Sequence, residues 1–170
     1  MIERSSAVLA VLISAHTAAH AARPVLTPDG IGPIRIGMTL QQVQKAVGGT
    51  INLHDDASDD QNVCAETDVP GWPNVSLLLE NLRVTVISIG KPYRTRDGVG
   101  IGWTEPVLKQ IFGSHAVFGP RPYFEDDPHA HNVIVKVSKN REFLFQTKDS
   151  KIESISLGEL PSVEYWEGCA

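Results

Sequence analysis

Two segments of this chain share one pattern of apolar and polar positions. Residues 31–48 read IGPIRIGMTLQQVQKAVG, and residues 97–113 read DGVGIGWTEPVLKQIFG. An alignment without gaps matches apolar, Gly and Thr positions between the two. The matched pairs are Ile34 and Val99, Ile36 and Ile101, Gly37 and Gly102, Thr39 and Thr104, Val43 and Leu108, Val47 and Phe112, and Gly48 and Gly113. Such internal similarity predicts a repeated unit, here a short strand, a turn and a short helix.

The ends of both predicted helices carry residues that cap helices. Thr39 can accept an amide hydrogen of the first turn, and Gln42 can reach back to complete a capping box. Thr104 stands at the equivalent position of the second segment, and Gly48 and Gly113 supply the left-handed residue that ends each helix. Because helices of about two turns do not persist alone in water, both must pack against a sheet.

Alternating apolar and polar residues predict antiparallel strands after each helix. These strands cover residues 75–80 and 82–89 in the first half, and residues 133–138, 142–147 and 152–157 in the second. The predicted fold class is α+β, with two tandem strand–helix–antiparallel-strand repeats and the helices packed on one face of an antiparallel sheet. The first repeat spans residues 22–92, and the second repeat with its C-terminal tail spans residues 93–170, as one compact unit.

The same alternation predicts which side chains face the helices and which face away. The helix-facing set is Val75, Leu77, Leu79, Leu82, Val84 and Val86, with Val133, Val135, Phe143 and Phe145 in the second half. The opposite face carries Leu78, Arg83, Ile87 and Leu144. We expect Leu78, Ile87 and Leu144 to be exposed in the monomer and to form a protein-binding face. If the tail after Pro161 covers them instead, the binding site must lie in the linker, residues 93–96.

The first 21 residues have the features of a cleaved export signal. A weakly basic start precedes a short apolar run at residues 7–15, and Ala19-His20-Ala21 forms an A-x-A cleavage site. The apolar run is too short to span a bilayer. No cysteine stands at the cleavage point, so a lipid anchor is not expected. The predicted location of the mature protein is the periplasm or the medium.

Charge and hydropathy limit the classes of partner. The formal net charge is -5, and a mildly acidic surface argues against binding to nucleic acid or to anionic membranes. No later segment is apolar enough for a membrane helix, so no membrane insertion is predicted. The expected partner is another protein, and no cofactor is expected.

The two cysteines, Cys64 and Cys169, are expected to form a disulfide. An exported protein with a small, even number of cysteines most simply pairs them. The bridge would close a loop of roughly a hundred residues, which contributes about 4 to 5 kcal/mol in the chain-entropy model. A reactive thiol at Cys169 is the competing interpretation, and no basic neighbour in the sequence favours it.

The best cluster of chemically active side chains lies in one acidic loop. Asp126, His129 and His131 have residue types that bind metal ions, and the two histidines would face the same side of a strand. A solvated acidic loop explains the same residues more simply. The sequence contains no G-x-S-x-G, H-E-x-x-H or glycine-rich phosphate loop, so no enzymatic activity is predicted.

Aromatic and arginine side chains beside turns give a second set of candidate binding residues. Five aromatic residues lie at loop or tail positions: Trp72, Tyr93, Tyr123, Tyr165 and Trp166. Arg94 and Arg96 accompany Tyr93. Trp, Tyr and Arg are the residues that most often anchor protein interfaces. Burial under a loop is an equally good explanation for any one of the aromatic rings.

The unit I-x-I-G-M-T-x-x-x-V-x-x-x-V-G, read from residues 34–48 and followed by antiparallel strands, resembles the SmpA/OmlA (BamE-like) envelope proteins. Its tandem arrangement resembles the family of beta-lactamase inhibitory proteins. This resemblance implies a non-enzymatic protein that binds other proteins through an exposed sheet face and its loops. The chain departs from it in two ways: the lipid-anchor cysteine is missing, and the expected disulfide joins the two halves.

These observations together predict an exported, non-enzymatic protein-binding module, either an enzyme inhibitor or an envelope accessory factor. The alternative is a periplasmic protein that binds a metal or a small ligand through Asp126, His129 and His131.

Overall fold

The computed structural model of this chain describes residues 23–53 and 64–169. The predicted export signal at residues 1–21 lies outside the described residues. Two β-sheets dominate the described part of the chain. The smaller sheet has three two-residue strands, β1 (Leu26–Thr27), β2 (Gly30–Ile31) and β3 (Ile34–Arg35). The larger sheet has seven strands, β4 (Cys64–Asp68), β5 (Val75–Glu80), β6 (Arg83–Ile89), β7 (Ala116–Pro120), β8 (His131–Ser138), β9 (Arg141–Lys148) and β10 (Lys151–Glu159).

The seven strands form one continuous antiparallel sheet in the order β4-β5-β6-β10-β9-β8-β7. Hairpins connect β5 to β6, β8 to β9 and β9 to β10. The junction between the two halves of the chain is the pairing of β6 with β10, in which Ser88 lies opposite Ser156 and Ile89 opposite Ile155. The backbone hydrogen bonds of this pair make the two halves one sheet.

The predicted fold class is wrong. The described part of the chain is mostly β, and its two α-helices, α1 (Leu40–Val47) and α2 (Glu105–Phe112), have only eight residues each. Each helix buries one apolar side chain, Val43 in α1 and Leu108 in α2. A helix this short covers little of a seven-stranded sheet, so the layout is not two tandem repeats with helices packed on a sheet.

The local geometry of the two aligned segments also differs. Thr39 and Gln42 form the predicted capping box, and Gly48 ends α1 in the left-handed conformation, with φ 70°. Thr104 begins α2 without a side-chain hydrogen bond to the helix. Neither described helix has the length and apolar character that a bilayer span needs.

The main hydrophobic core lies between the inner face of the large sheet and a cover of short elements. The cover includes both helices and the small sheet, with Leu26, Ile31 and Ile34 fully buried. The sheet contributes the predicted side chains of the second half, since Val133, Val135, Phe143 and Phe145 all belong to this core. The face assignment for the second half is therefore confirmed.

The expectation that Leu78, Ile87 and Leu144 are exposed is wrong. Their exposed fractions are 7%, 0% and 7%. Leu78 and Leu144 lie on the outer face of the sheet, as predicted, but the tail (residues 161–169) covers them and inserts Val163 between them and the solvent. The competing expectation, that the tail buries this face, describes the structure.

Ile87 is buried for a different reason, a β-bulge. Leu78 pairs with Val86 whereas Leu79 pairs with Val84, so Thr85 is an extra residue in β6. One extra residue exchanges the two faces of every following position. Ile87 therefore enters the main core, and Val86 joins the outer face under the tail. Leu82, predicted to face the helices, lies exposed at the hairpin turn.

A disulfide joins Cys64 in β4 to Cys169 in the tail, across 105 residues of sequence. The predicted pairing is confirmed. Ser162 also anchors the tail, because its hydroxyl donates a hydrogen bond to the Glu80 carboxylate at 2.9 Å. The bridge and this hydrogen bond hold the tail on the outer face at two separate points.

We expect the double variant C64S/C169S to lose about 4 to 5 kcal/mol of unfolding free energy, the loop-entropy contribution of a bridge that spans about a hundred residues. Urea titration followed by circular dichroism measures this loss, and reduced wild type is the matched control. A loss below about 1 kcal/mol, in the variant and the reduced protein alike, would show that the tail docks without help from the bridge.

Candidate functional site

The structure separates the predicted protein-binding residues into buried and accessible groups. Leu78, Ile87 and Leu144 are buried and cannot contact a partner in this conformation. The accessible residues lie in three places. Trp72, Tyr93, Arg94 and Arg96 lie together and are called the linker surface below, Tyr123 lies beside the tail, and Arg83 lies at a hairpin turn.

The linker surface is organised around two stacked aromatic rings. The rings of Trp72 and Tyr93 are nearly parallel, at an interplanar angle of 8°, with 6.3 Å between their centroids. Trp72 lies against Gly32, where a β-carbon would collide with the indole ring. Both aromatic residues are half-buried, so each keeps part of its ring accessible while the core holds the other part.

The backbone of the linker is fixed by pairing with β1. The amide of Leu26 donates to the carbonyl of Arg94 at 2.9 Å, and the amide of Arg96 donates back to the carbonyl of Leu26 at 2.8 Å. The guanidinium of Arg94 lies 4.9 Å from the centre of the Trp103 ring, a cation–π contact. Arg94 and Arg96 are both exposed on this fixed backbone.

Arg83 lies apart from this surface. It is the first residue of β6, and its guanidinium donates to the carbonyl of Gly37 at 3.1 Å. The hairpin turn before it places Asn81 and Leu82 at positive φ angles of 51° and 58°. The hydrogen bond to Gly37 connects Arg83 to the segment that leads into α1.

Tyr123 contacts the tail and is not part of the linker surface. Its ring packs on Trp166 with 5.7 Å between centroids, and its hydroxyl donates a hydrogen bond to the Glu167 carboxylate. That hydrogen bond raises the pKa of Tyr123, because it is made by the protonated hydroxyl. The two rings remain 67% and 59% exposed, which is unusual for large aromatic side chains in contact.

A cleft of about 160 Å³ lies between the tail and the uncovered part of the outer face. We call it the outer-face cleft, and the residues that define it are Ser76, Ser88, Gln146, Ser156, Tyr165 and Trp166. Its floor combines hydroxyl and amide groups on adjacent strands with the apolar residues Leu78, Val86 and Leu144, and its wall includes the two tail aromatics. The sequence predicted a binding face with Leu78 and Leu144 and marked Tyr165 and Trp166 as possible binding residues, but it did not predict a cleft between them.

The alternative metal site is not assembled. The ring of His131 turns to Glu105, with 2.8 Å between Nδ1 and Oε1. His129 precedes the strand, and its amide donates to Asp127 at 2.8 Å. Within residues 23–53 and 64–169, no three His, Cys, Asp or Glu side chains are placed to hold a metal ion. The two histidines do not face the same side of one strand, because the strand begins only at His131.

Glu105, Thr147 and His131 form a buried polar cluster that sequence reasoning missed. The hydroxyl of Thr147 donates to the Glu105 carboxylate at 2.6 Å and accepts from the backbone amide of His131 at 2.9 Å. A catalytic triad would direct a hydroxyl at the imidazole. Here the Thr147 hydroxyl is hydrogen-bonded to the Glu105 carboxylate and to the His131 amide. The cluster therefore fixes α2 to the ends of β8 and β9.

Glu142 is the second buried charged group that sequence reasoning missed. It is 1% exposed on the outer face of β9, and its Oε1 has no hydrogen-bond partner within the described residues. Burial raises the pKa of the Glu142 carboxyl, the nearby Glu164 carboxylate raises it further, and Lys136 partly offsets both. The tail therefore holds one acid, Glu164, directly against another.

One feature of the sequence indicated the position of Glu142. This residue lies two positions before Leu144 in the same strand, so both side chains must lie on the same face of the sheet. No feature of the sequence indicated that Glu105 is buried, because an acid in the first turn of a helix normally lies in solvent. Its burial depends on Thr147, 42 residues later in the chain.

We expect Glu142→Gln to stabilise the protein at high pH and not at low pH. The folded-state pKa of Glu142 is raised above the ordinary value of 4.5. The stability that comes from the protonated Glu142 carboxyl is therefore complete below that value. It is lost as the pH rises through the raised pKa. The neutral amide removes this loss, worth about 1 to 3 kcal/mol for an unsatisfied buried group.

Urea titrations of both proteins from about pH 4 to about pH 8 measure the effect. The exposed Asp97→Asn is the matched control, and it should follow wild type throughout. Parallel stability curves for Glu142→Gln and wild type would exclude Glu142 as the source of the pH dependence.

Comparisons with known proteins add little. No protein-family model matches the chain, and no curated protein is similar to it. Among solved structures, the chain is similar to the crystal structure of the uncharacterized protein yfeY from Escherichia coli, with a TM-score of 0.47 and 12% identity over 79% of this chain and 99% of that one. A similarity this distant carries no argument about function.

Proposed function

We propose that this protein is an exported, non-enzymatic module that binds another protein through the linker surface. The observation that supports this most directly is the stacked pair Trp72 and Tyr93, with the exposed residues Arg94 and Arg96 next to Tyr93 in the chain. Interface hot spots are enriched in these three residue types. The export part of the proposal rests on the N-terminal segment, residues 1–21.

Preorganisation favours this surface over a mobile loop. Thr95, between the two arginines, is 1% exposed, and its amide donates to the carbonyl of Val99 at 2.8 Å. Asn74 donates to the carbonyl of Lys91 at 2.7 Å and ties the linker to the loop of Trp72. A partner that meets a fixed backbone loses less conformational entropy on binding than one that must order a loop.

The charge of the linker indicates the chemistry of the partner. Residues 91–97 read KPYRTRD, which contains three cations and one acid, whereas the whole chain has a net charge of -5. Within the described residues neither Arg94 nor Arg96 forms an ion pair. A basic surface on an acidic protein suits an acidic patch on the partner. An inhibitor and an envelope accessory factor would both use such a surface.

The buried polar cluster supports a binding role over a catalytic one. Glu105, Thr147 and His131 combine a carboxylate, a hydroxyl and an imidazole, and each already serves a structural hydrogen bond. We therefore assign no reaction to this cluster.

We expect Tyr93→Ala and Arg96→Glu each to weaken partner binding by at least about tenfold, since truncation of a hot spot or reversal of its charge removes about 1.4 kcal/mol or more. The measurement begins with affinity capture from an extract of the envelope fraction and continues with calorimetry on the captured protein. Higher salt should weaken the wild-type complex, because the charges lie at the surface.

Lys139→Glu is the matched control for Arg96→Glu, because it makes the same charge change at an exposed turn between β8 and β9. A partner that binds Arg96→Glu and Lys139→Glu equally, and binds Tyr93→Ala as tightly as wild type, would rule out the linker surface.

A further inference from the structure

The floor of the outer-face cleft is a row of small polar side chains on adjacent strands. Ser76 pairs with Ser88 across β5 and β6, and Ser88 pairs with Ser156 across β6 and β10. The hydroxyls of Ser88 and Ser156 lie 2.8 Å apart, and Gln146 accepts from Ser154 at 2.8 Å. The hydroxyl of Ser76 makes no side-chain hydrogen bond within the described residues, so it is available to a ligand.

The wall of the cleft includes two aromatic side chains of the anchored tail. Tyr165 and Trp166 stand between Val163, which is buried, and the disulfide at Cys169. Trp166 also packs on Tyr123. The tail is therefore anchored on both sides of the two rings, and yet both rings are exposed. Anchored, exposed aromatic rings beside a polar floor form a surface with one apolar and one hydrogen-bonding side.

The cleft is nearly uncharged. Glu66 is the one charged residue among its described lining residues; it lies opposite Leu78 in the pairing of β4 with β5, and a β-carbon on Gly168 would collide with its carboxylate. An anionic ligand would need a cation here, and a cationic ligand would meet only the single carboxylate of Glu66, which packs against the tail. The side chains of the floor select instead for a neutral ligand with several hydroxyl groups.

We propose that the outer-face cleft binds a neutral saccharide. Serine hydroxyls and the Gln146 amide can each donate and accept, as sugar hydroxyls do. The electron-rich faces of Trp166 and Tyr165 attract the weakly positive C–H face of a sugar ring. At about 160 Å³ the cleft takes a single ring, and the rest of an oligosaccharide would extend over the exposed rings.

An extended peptide fits this site less well. The cleft lies on the face of the sheet, where the backbone N–H and C=O groups of β5, β6, β9 and β10 already bond to neighbouring strands. A peptide that binds by strand addition needs a free edge. The saccharide site lies on the opposite side of the sheet from the linker surface, and it goes beyond the proposed protein-binding function.

Titration of the full chain with cellotetraose, maltotetraose and tetra-N-acetylchitotetraose, followed by tryptophan fluorescence and calorimetry, tests this proposal. We expect at least one of the three to bind with a dissociation constant near or below about 1 mM. Ser76→Ala and Trp166→Ala should each weaken that binding by about tenfold. Trp166→Phe and Ser76→Thr keep the ring and the hydroxyl, and should retain most of the affinity.

Tyr93→Ala should bind the saccharide as wild type does, so failure of this proposal and failure of the linker surface are distinguishable. The proposal is overturned if none of the three sugars binds at concentrations up to about 10 mM, or if binding is unchanged by both Ser76→Ala and Trp166→Ala. It is also overturned if a short unstructured peptide, and none of the sugars, quenches Trp166.

Discussion

The disulfide between Cys64 and Cys169 is the constraint on which the outer face of the sheet, with its cleft, depends. It attaches the last residues of the chain to the edge strand β4, and the tail between Pro161 and Cys169 is thereby held across the outer face of the sheet. An antiparallel sheet of this size can have one solvated face. Here the tail covers the apolar part of that face and leaves the hydroxyl-rich part open. The same contact removes the predicted binding face and creates the outer-face cleft.

Docking of the tail on the outer face has an unfavourable contribution, which arises at Glu142. Docking Val163 onto Leu78 and Leu144 buries apolar area, which stabilises the tail by roughly 25 cal/mol for each square ångström removed from water. The same docking brings Glu164 against Glu142, whose carboxyl is desolvated. Apolar burial and the disulfide favour the docked tail, and the two acids oppose it as the pH rises. The docked tail persists because the first two contributions are larger.

The successful sequence predictions rest on contacts that are local or strictly periodic, although the local cap predicted at Thr104 does not form. The capping box of Thr39 and Gln42 spans three residues, and the alternation holds from Val133 to Lys136 in β8 and over the paired residues of β9, before the irregularity between Lys136 and Ser138. Sequence reasoning failed where the register of a strand pair or a distant segment decides. The bulge at Thr85 exists only because β5 and β6 pair in one register, and the burial of Leu78 depends on a tail more than 80 residues later. The fold class failed similarly: two similar short segments indicated repeats, but the pairing of β6 with β10 merged both halves into one sheet.

The two proposed sites lie on opposite sides of the sheet, yet one hairpin supports both. Ser76 and Ser88 face the cleft from β5 and β6, and the same two strands lead into the loop of Trp72 and the segment of Tyr93. Coupling between such sites requires an element with two discrete arrangements. The hairpin has paired neighbours on both sides, β4 and β10, and its inner side chains Val75, Leu77 and Ile87 are nearly or fully buried in the close-packed main core. A hairpin held in this way has one arrangement, so each surface should bind its ligand independently of the other.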